Sequence, residues 1–142
     1  LLGLCFPTCY MILVWSIICA NYLTCVWLRH ERWNTLAFCA GHALLAMTVT
    51  SYFSTMLTPP GSVPPSWHDA AARDATGLIR LHYVIEPRTG QRLPPRSRYV
   101  SRTGGVVLAL DHYCFWLSVP VGLRNRKPFV LFLCYAAALV AF

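Results

Sequence analysis

Charge is scarce in this chain. Of its 142 residues, only 12% are Asp, Glu, Lys or Arg, while 56% are hydrophobic. A soluble globular domain carries roughly a quarter charged residues, so the composition argues against an ordinary soluble globule. It argues equally against disorder, which needs low hydrophobicity and high charge. Acidic side chains are the scarcest: five Asp and Glu face twelve Lys and Arg, a net charge of +7. A basic balance suits nucleic acid, anionic lipid or a polyanionic ligand. The mean hydropathy of +0.49 selects phosphate met at a bilayer surface, and no nucleic-acid partner is expected.

Other absences narrow the chemistry. There is no Gly-rich phosphate loop, because Gly104-Gly105 lacks the strand and helix context such a loop needs. There is no finger-like spacing either. Outside the apolar runs stands one cysteine, Cys114, with His68, His82 and His112, and a structural zinc site normally takes four Cys or His ligands. No basic stretch precedes the first apolar run and no small-residue cleavage pattern follows it, so it is not read as a signal peptide. The chain starts at Leu1 without a Met and stops in an apolar run at Phe142. The expectation is a piece of a longer protein.

What remains is organised by the apolar runs. Leu1 to Leu28 contains no Asp, Glu, Lys or Arg and exceeds the roughly 20 residues a membrane span requires. Thr35 to Leu57 is a second span, with His42 as its one ionisable group; such a His is expected to bond to a neighbouring helix. The short 29–34 loop makes the two an antiparallel hairpin. Residues 58–127 hold ten of the twelve basic residues and are cytosolic by the positive-inside rule, which leaves the 29–34 loop luminal or external. Residues 128–142 begin a third span. Trp15, Trp27 and Trp33 read as interfacial anchors.

The cytosolic segment opens on Thr58-Pro59-Pro60-Gly61, a helix stop. Ser66 to Arg80 could hold a short helix. A weak internal repeat follows: Tyr83-Val84 leads to Arg88-Thr89-Gly90, and Tyr99-Val100 leads to Arg102-Thr103-Gly104-Gly105. Two small hairpins are the expectation.

Six of the seven cysteines, Cys5, Cys9, Cys19, Cys25, Cys39 and Cys134, lie in the apolar runs and read as buried small hydrophobes. The seventh stands in Leu110-Asp111-His112-Tyr113-Cys114-Phe115-Trp116. If this stretch is extended, His112 and Cys114 share a face. The imidazole could then take the thiol proton and create the reactive thiolate. Asp111 could orient the imidazole if a turn brings it round. On the residues alone, an interfacial Asp-His pair beside a packed thiol is the competing account.

Three runs together resemble one family. Leu93-Pro94-Pro95-Arg96-Ser97, the Asp111-His112-Tyr113-Cys114-Phe115-Trp116 run, and Val121-Gly122-Leu123-Arg124-Asn125 continuing to Phe129 resemble the Asp-His-His-Cys protein S-palmitoyltransferases. The spacing from Pro94 to Asn125 fits the family pattern without a gap. The resemblance implies an α-helical multi-pass membrane protein, with transmembrane helices flanking a small cytosolic catalytic domain that here contains β-hairpins. It implies that Cys114 accepts a fatty acyl group from palmitoyl-CoA and passes it to protein cysteines near the membrane, with His112 as base and Asp111 as orienter. Arg96, Arg124 and Lys127 become candidates for the CoA phosphates, and Asn125 takes a structural part. The bilayer, acyl-CoA and membrane-proximal protein cysteines are the implied partners. The implied location is the Golgi, endoplasmic reticulum or plasma membrane, with the active site facing the cytosol.

The departures from the family pattern are specific. The family holds two zinc ions, and its ligand positions appear here as Glu86, Thr89, Arg98, Tyr99, Val100, Thr103, Val106, Tyr113 and Pro120. Zinc is therefore not expected, and the Gly turns take over as scaffold. Some fungal members also read Asp-His-Tyr-Cys. The alternative is a catalytically inactive membrane scaffold derived from this family, which Phe115 and Pro59, replacing a motif Pro and a motif Asp, favour.

Overall fold

The computed structural model describes individual helical positions between residues 12 and 23, and the chain from Thr35 to Ala141 apart from residues 75–82 and Thr89. The first apolar run is thus covered only in part. The 29–34 loop, Trp27, Trp33, His82 and the end of the expected Ser66–Arg80 helix lie outside the described residues.

Helix α1 is Thr35–Leu57, 23 residues. At 1.5 Å per residue it is about 34 Å long, a match for the roughly 30 Å hydrocarbon core. Among the described residues it is the one helix long and apolar enough to cross a membrane. Its buried residues, Gly41, Thr48, Ser51, Tyr52 and Thr55, are mostly small. Their hydroxyls donate to carbonyls one turn back: Thr48 to Leu44 at 2.8 Å, Ser51 to Met47 at 2.7 Å, Thr55 to Ser51 at 2.8 Å. The Ser and Thr hydroxyls on this face are thus paired, and small side chains of this kind let helix backbones approach closely. His42 does not reach across to another helix for its hydrogen bond. Its Nδ1 lies 2.9 Å from the Phe38 carbonyl of its own helix, one turn back, and its ring packs edge-on against Tyr22 at 5.5 Å.

After the Pro-Gly stop comes a short helix, α2 (Pro65–Asp74). Proline suits its first position because no helical acceptor exists for an N–H there. The Trp67 indole donates to the Arg92 carbonyl at 3.0 Å, which ties α2 to the strands.

Six short strands follow: β1 (Val84–Ile85), β2 (Arg92–Leu93), β3 (Arg98–Val100), β4 (Gly105–Val107), β5 (His112–Cys114) and β6 (Val119–Val121). They pair as three separate antiparallel hairpins, β1–β2, β3–β4 and β5–β6. The first two fall at the Gly turns, where Gly90 and Gly104 adopt φ of +66° and +67°, a region open to glycine at no steric cost. The third hairpin was not expected. Its turn uses Ser118 at φ +54° in place of a glycine, and its return strand carries Pro120, opposite Tyr113.

Helix α3 (Arg126–Ala141) lies along α1. It starts two residues before Pro128, which sits in the first turn where its missing N–H costs nothing. The Asn125 carbonyl accepts the first helical bond, from Phe129 N at 3.2 Å.

The linker after α1 is threaded into the hairpin layer. Gly61 O accepts from Leu108 N at 3.0 Å, Pro60 O from Arg124 N at 3.1 Å, and Leu108 O from Leu123 N at 3.0 Å. Gly122 sits at this crossing. A Cβ there would lie 2.6 Å from Val107 Cγ1 and 2.7 Å from the Pro60 carbonyl oxygen, so no side chain fits.

Candidate active site

Strand β5 carries the reactive residues. Its pairing sets His112 opposite Val121 and Cys114 opposite Val119, so His112 and Cys114 share one face and Tyr113 takes the other. Cys114 is 3% exposed and belongs to a buried cluster with Tyr52, Leu117 and Val121, against which Trp15, Phe129 and Phe132 pack. The thiol therefore stands where the third hairpin meets α1 and α3. His112 is more open, and its ring rests edge-on against Phe129 at 5.2 Å.

Asp111 is brought round to His112. Its backbone N–H donates to Val121 O at 2.9 Å, and its Oδ2 lies 3.5 Å from His112 Nδ1, with the two side chains 49% and 43% exposed. His112 and Cys114 both line one cavity of about 480 Å³, together with Trp15, Tyr52 and Phe132. In free enzymes the contact between base and nucleophile is often long and tightens only around substrate. The cavity volume is that of a small-molecule site, and its wall is almost wholly apolar. Trp15, read from the sequence as an interfacial anchor, lines this cavity, edge-on to Tyr52 at 4.8 Å.

The approach to β5 is pinned by Arg126. Its Nη2 donates to Ala109 O at 2.7 Å, and Ala109 has φ +44°, a costly conformation for a residue with a Cβ. The three basic candidates are all exposed. Arg124 and Lys127 flank Asn125 where the chain enters α3, and Arg96 sits on a separate turn between β2 and β3 with φ +63°.

Asn125 is completely buried and uses both ends of its amide. Oδ1 accepts from Gly122 N at 2.8 Å, while Nδ2 donates to Pro120 O at 2.9 Å and Thr55 O at 3.3 Å. The helical partner of Thr55 O would be the N–H of residue 59, which is a proline and has none. Asn125 therefore fills an acceptor that α1 cannot satisfy itself. One side chain fixes the return strand of the β5–β6 hairpin to the end of α1. The family motif marked Asn125 in the sequence, but Tyr52, Trp15 and Phe132 carried no signal beyond apolar or helical context.

Two of the residues at the family's ligand positions have other partners. Glu86 is 8% exposed, and its Oε2 accepts from Tyr99 N at 3.3 Å. The Tyr113 hydroxyl donates to Ser118 O at 3.0 Å. Among the described residues, no three His, Cys, Asp or Glu side chains are grouped so as to hold a metal ion.

Known proteins resemble this chain over part of its length. Residues 82–142 match the family described as DHHC palmitoyltransferase. The chain is 38% identical over 111 residues to "Probable protein S-acyltransferase 14" of Arabidopsis thaliana, an alignment that takes in 66% of this chain and 36% of the plant protein. It is also 38% identical over 107 residues to "Probable protein S-acyltransferase 13" of the same plant, covering 66% and 35%. "Palmitoyltransferase PFA3" of Candida albicans is 25% identical over 160 residues, covering 91% of this chain and 42% of the fungal protein. The chain thus spans about a third of the length of the plant relatives it matches.

Proposed function

We propose, from the match of residues 82–142 to the DHHC palmitoyltransferase family, that the chain belongs to that family and is a protein-cysteine S-palmitoyltransferase whose acyl carrier is Cys114. The observation that carries the proposal is the placement of Cys114 and His112 on one apolar cavity between the third hairpin and the helices α1 and α3. His112 takes the thiol proton. The Cys114 thiolate attacks the thioester carbonyl of acyl-CoA; the new S–C bond forms, the bond to CoA breaks, and CoA leaves with the proton from the imidazolium. A substrate cysteine thiolate then attacks the acyl-enzyme, takes the acyl group and frees Cys114. Asp111 holds the imidazole and offsets its positive charge in between.

The apolar wall supports a fatty tail as the cargo. Burying alkyl chain contributes about 0.8 kcal/mol per methylene, so the tail anchors the donor while the thioester stays at Cys114. Arg124 and Lys127, exposed where α3 begins, and Arg96 are assigned to the CoA phosphates. The domain order follows from the same reading: spans at 1–28 and 35–57, a luminal loop at 29–34, a cytosolic domain at 58–127, and a further span from 128. The substrates are protein cysteines close to the bilayer, on the cytosolic side of an endomembrane or the plasma membrane.

Zinc does not fit. Arg98, Val100, Val106 and Pro120 offer no side-chain donor for a tetrahedral thiolate or imidazole site, and Tyr99 and Tyr113 are engaged elsewhere. No step above passes through a metal.

The test is acyl-enzyme formation by the full-length protein in membranes, given alkyne-tagged palmitoyl-CoA. The expected result is a label that hydroxylamine removes and that Cys114→Ser abolishes. Absence of label, or a label that survives the substitution, would move the assignment to an inactive membrane scaffold.

A further inference from the structure

Two-stranded hairpins this short are marginal by themselves, and the three here share no strand pairing with one another. Something must hold them as one layer. The Arg-Thr-Gly repeat supplies a regular contact. Arg88, in the turn of the first hairpin, lies over the ring of Tyr99 in the second at 5.6 Å. Arg102, in the turn of the second, lies over the ring of Tyr113 in the third at 5.3 Å and over Phe115 at 4.8 Å. In both cases the tyrosine is eleven residues ahead of the arginine. Each turn therefore grips the next hairpin in the same way.

Tyr99 is held a second time. The buried Glu86 carboxylate accepts from its backbone N–H, and the Glu86 backbone closes its own turn through Gly90 N at 2.8 Å and Gln91 O at 3.0 Å. A buried carboxylate is costly without hydrogen bonds, so Glu86 is committed to this contact. Glu86, Tyr99 and Tyr113 are three of the positions where the resemblance placed metal ligands.

We infer that the repeated arginine–tyrosine clasp, with the Glu86 latch, replaces a structural metal in joining the hairpins of residues 83–121. The inference is independent of the acyl-transfer reading, since metal content and thermal stability decide it whether or not the protein is active.

The full-length protein would be purified in detergent without chelator, assayed for metals, and melted with and without a strong zinc chelator. Far less than one zinc per chain is expected, with no change in Tm on chelation. Arg88→Lys and Arg102→Lys keep the charge but lose the planar stack, and each should lower Tm by about 2–4 °C. Glu86→Gln retains an oxygen acceptor and should melt near wild type, whereas Glu86→Ala should melt lower. If Glu86→Ala fails to fold, the lysine variants still decide the matter. One zinc per chain, removed by chelation with a fall in Tm, would overturn the inference. So would a double Arg→Lys variant that melts with the wild type.

Discussion

Replacing Asn125 with Ala should be among the most damaging single changes in the chain. The substitution removes three hydrogen bonds. It leaves the buried Gly122 N–H without an acceptor and the Thr55 and Pro120 carbonyls without the amide. Each net bond contributes about 1 kcal/mol, and a stranded buried group costs about 1–3 kcal/mol more. The expected loss is about 3–5 kcal/mol, a fall in Tm on the order of 10 °C. Asn125→Asp separates the bonds from the packing, because it keeps the shape and the acceptor for Gly122 but turns the donor into an oxygen facing two carbonyls. That carboxyl should titrate above the ordinary value of about 3.9, because its charged form is repelled and only its protonated form can donate. The folded protein then binds more protons than the unfolded chain, so the variant loses stability as pH rises through the raised pKa. Thermal melts of the full-length protein in detergent at pH 5 and pH 8 would measure this. The Asp variant should lie closer to wild type at pH 5. An Asp variant that melts with wild type at pH 8 would refute the role given to the two donor bonds.

Four further outcomes follow from the same geometry. Gly122→Ala places a methyl against the Pro60 and Leu108 carbonyls, and overpacking of this kind costs about 1–3 kcal/mol; a depressed Tm is expected in the same melts. His112→Ala should slow Cys114 acylation by about 100-fold or more, read as the initial rate of alkyne label. Asp111→Asn should slow it less, because the pair is half exposed and 3.5 Å apart. Phe132→Trp narrows the cavity beside Tyr52 and should reduce labelling from a long-chain acyl-CoA more than from a short-chain one, in a competition between donors.

The legible parts of the fold were those with a local cause. Thr35–Leu57 is bounded by charge on one side and Pro-Pro-Gly on the other, and two hairpins announce themselves through Gly90 and Gly104. The third hairpin did not, because Ser118 takes the left-handed turn position that a glycine usually marks and Pro120 discourages a strand reading. The Asp111-His112-Cys114 set stood out because a charge and a thiol sat in an apolar stretch, and strand alternation predicted the shared face of His112 and Cys114. The cavity was not legible. Trp15, Tyr52 and Phe132 come from three distant parts of the chain, and nothing local distinguishes them from other apolar helix residues. Glu86 stood out in the sequence only through its match to a family ligand position, and only the fold brings Tyr99 to it.

Pro59 has a consequence for the order of assembly. By withholding one N–H, it leaves the end of α1 open to a side chain seventy residues later. A chain made from its N-terminus presents the entire hairpin segment before Asn125 emerges at the threshold of α3. The hairpins can form their turns early, but their attachment to α1 waits for the last helix to begin. Cys114 therefore gains its seat against Tyr52 and Phe132 only once α3 is being made. The thiol is kept from its apolar cavity until the surrounding helices are there to enclose it.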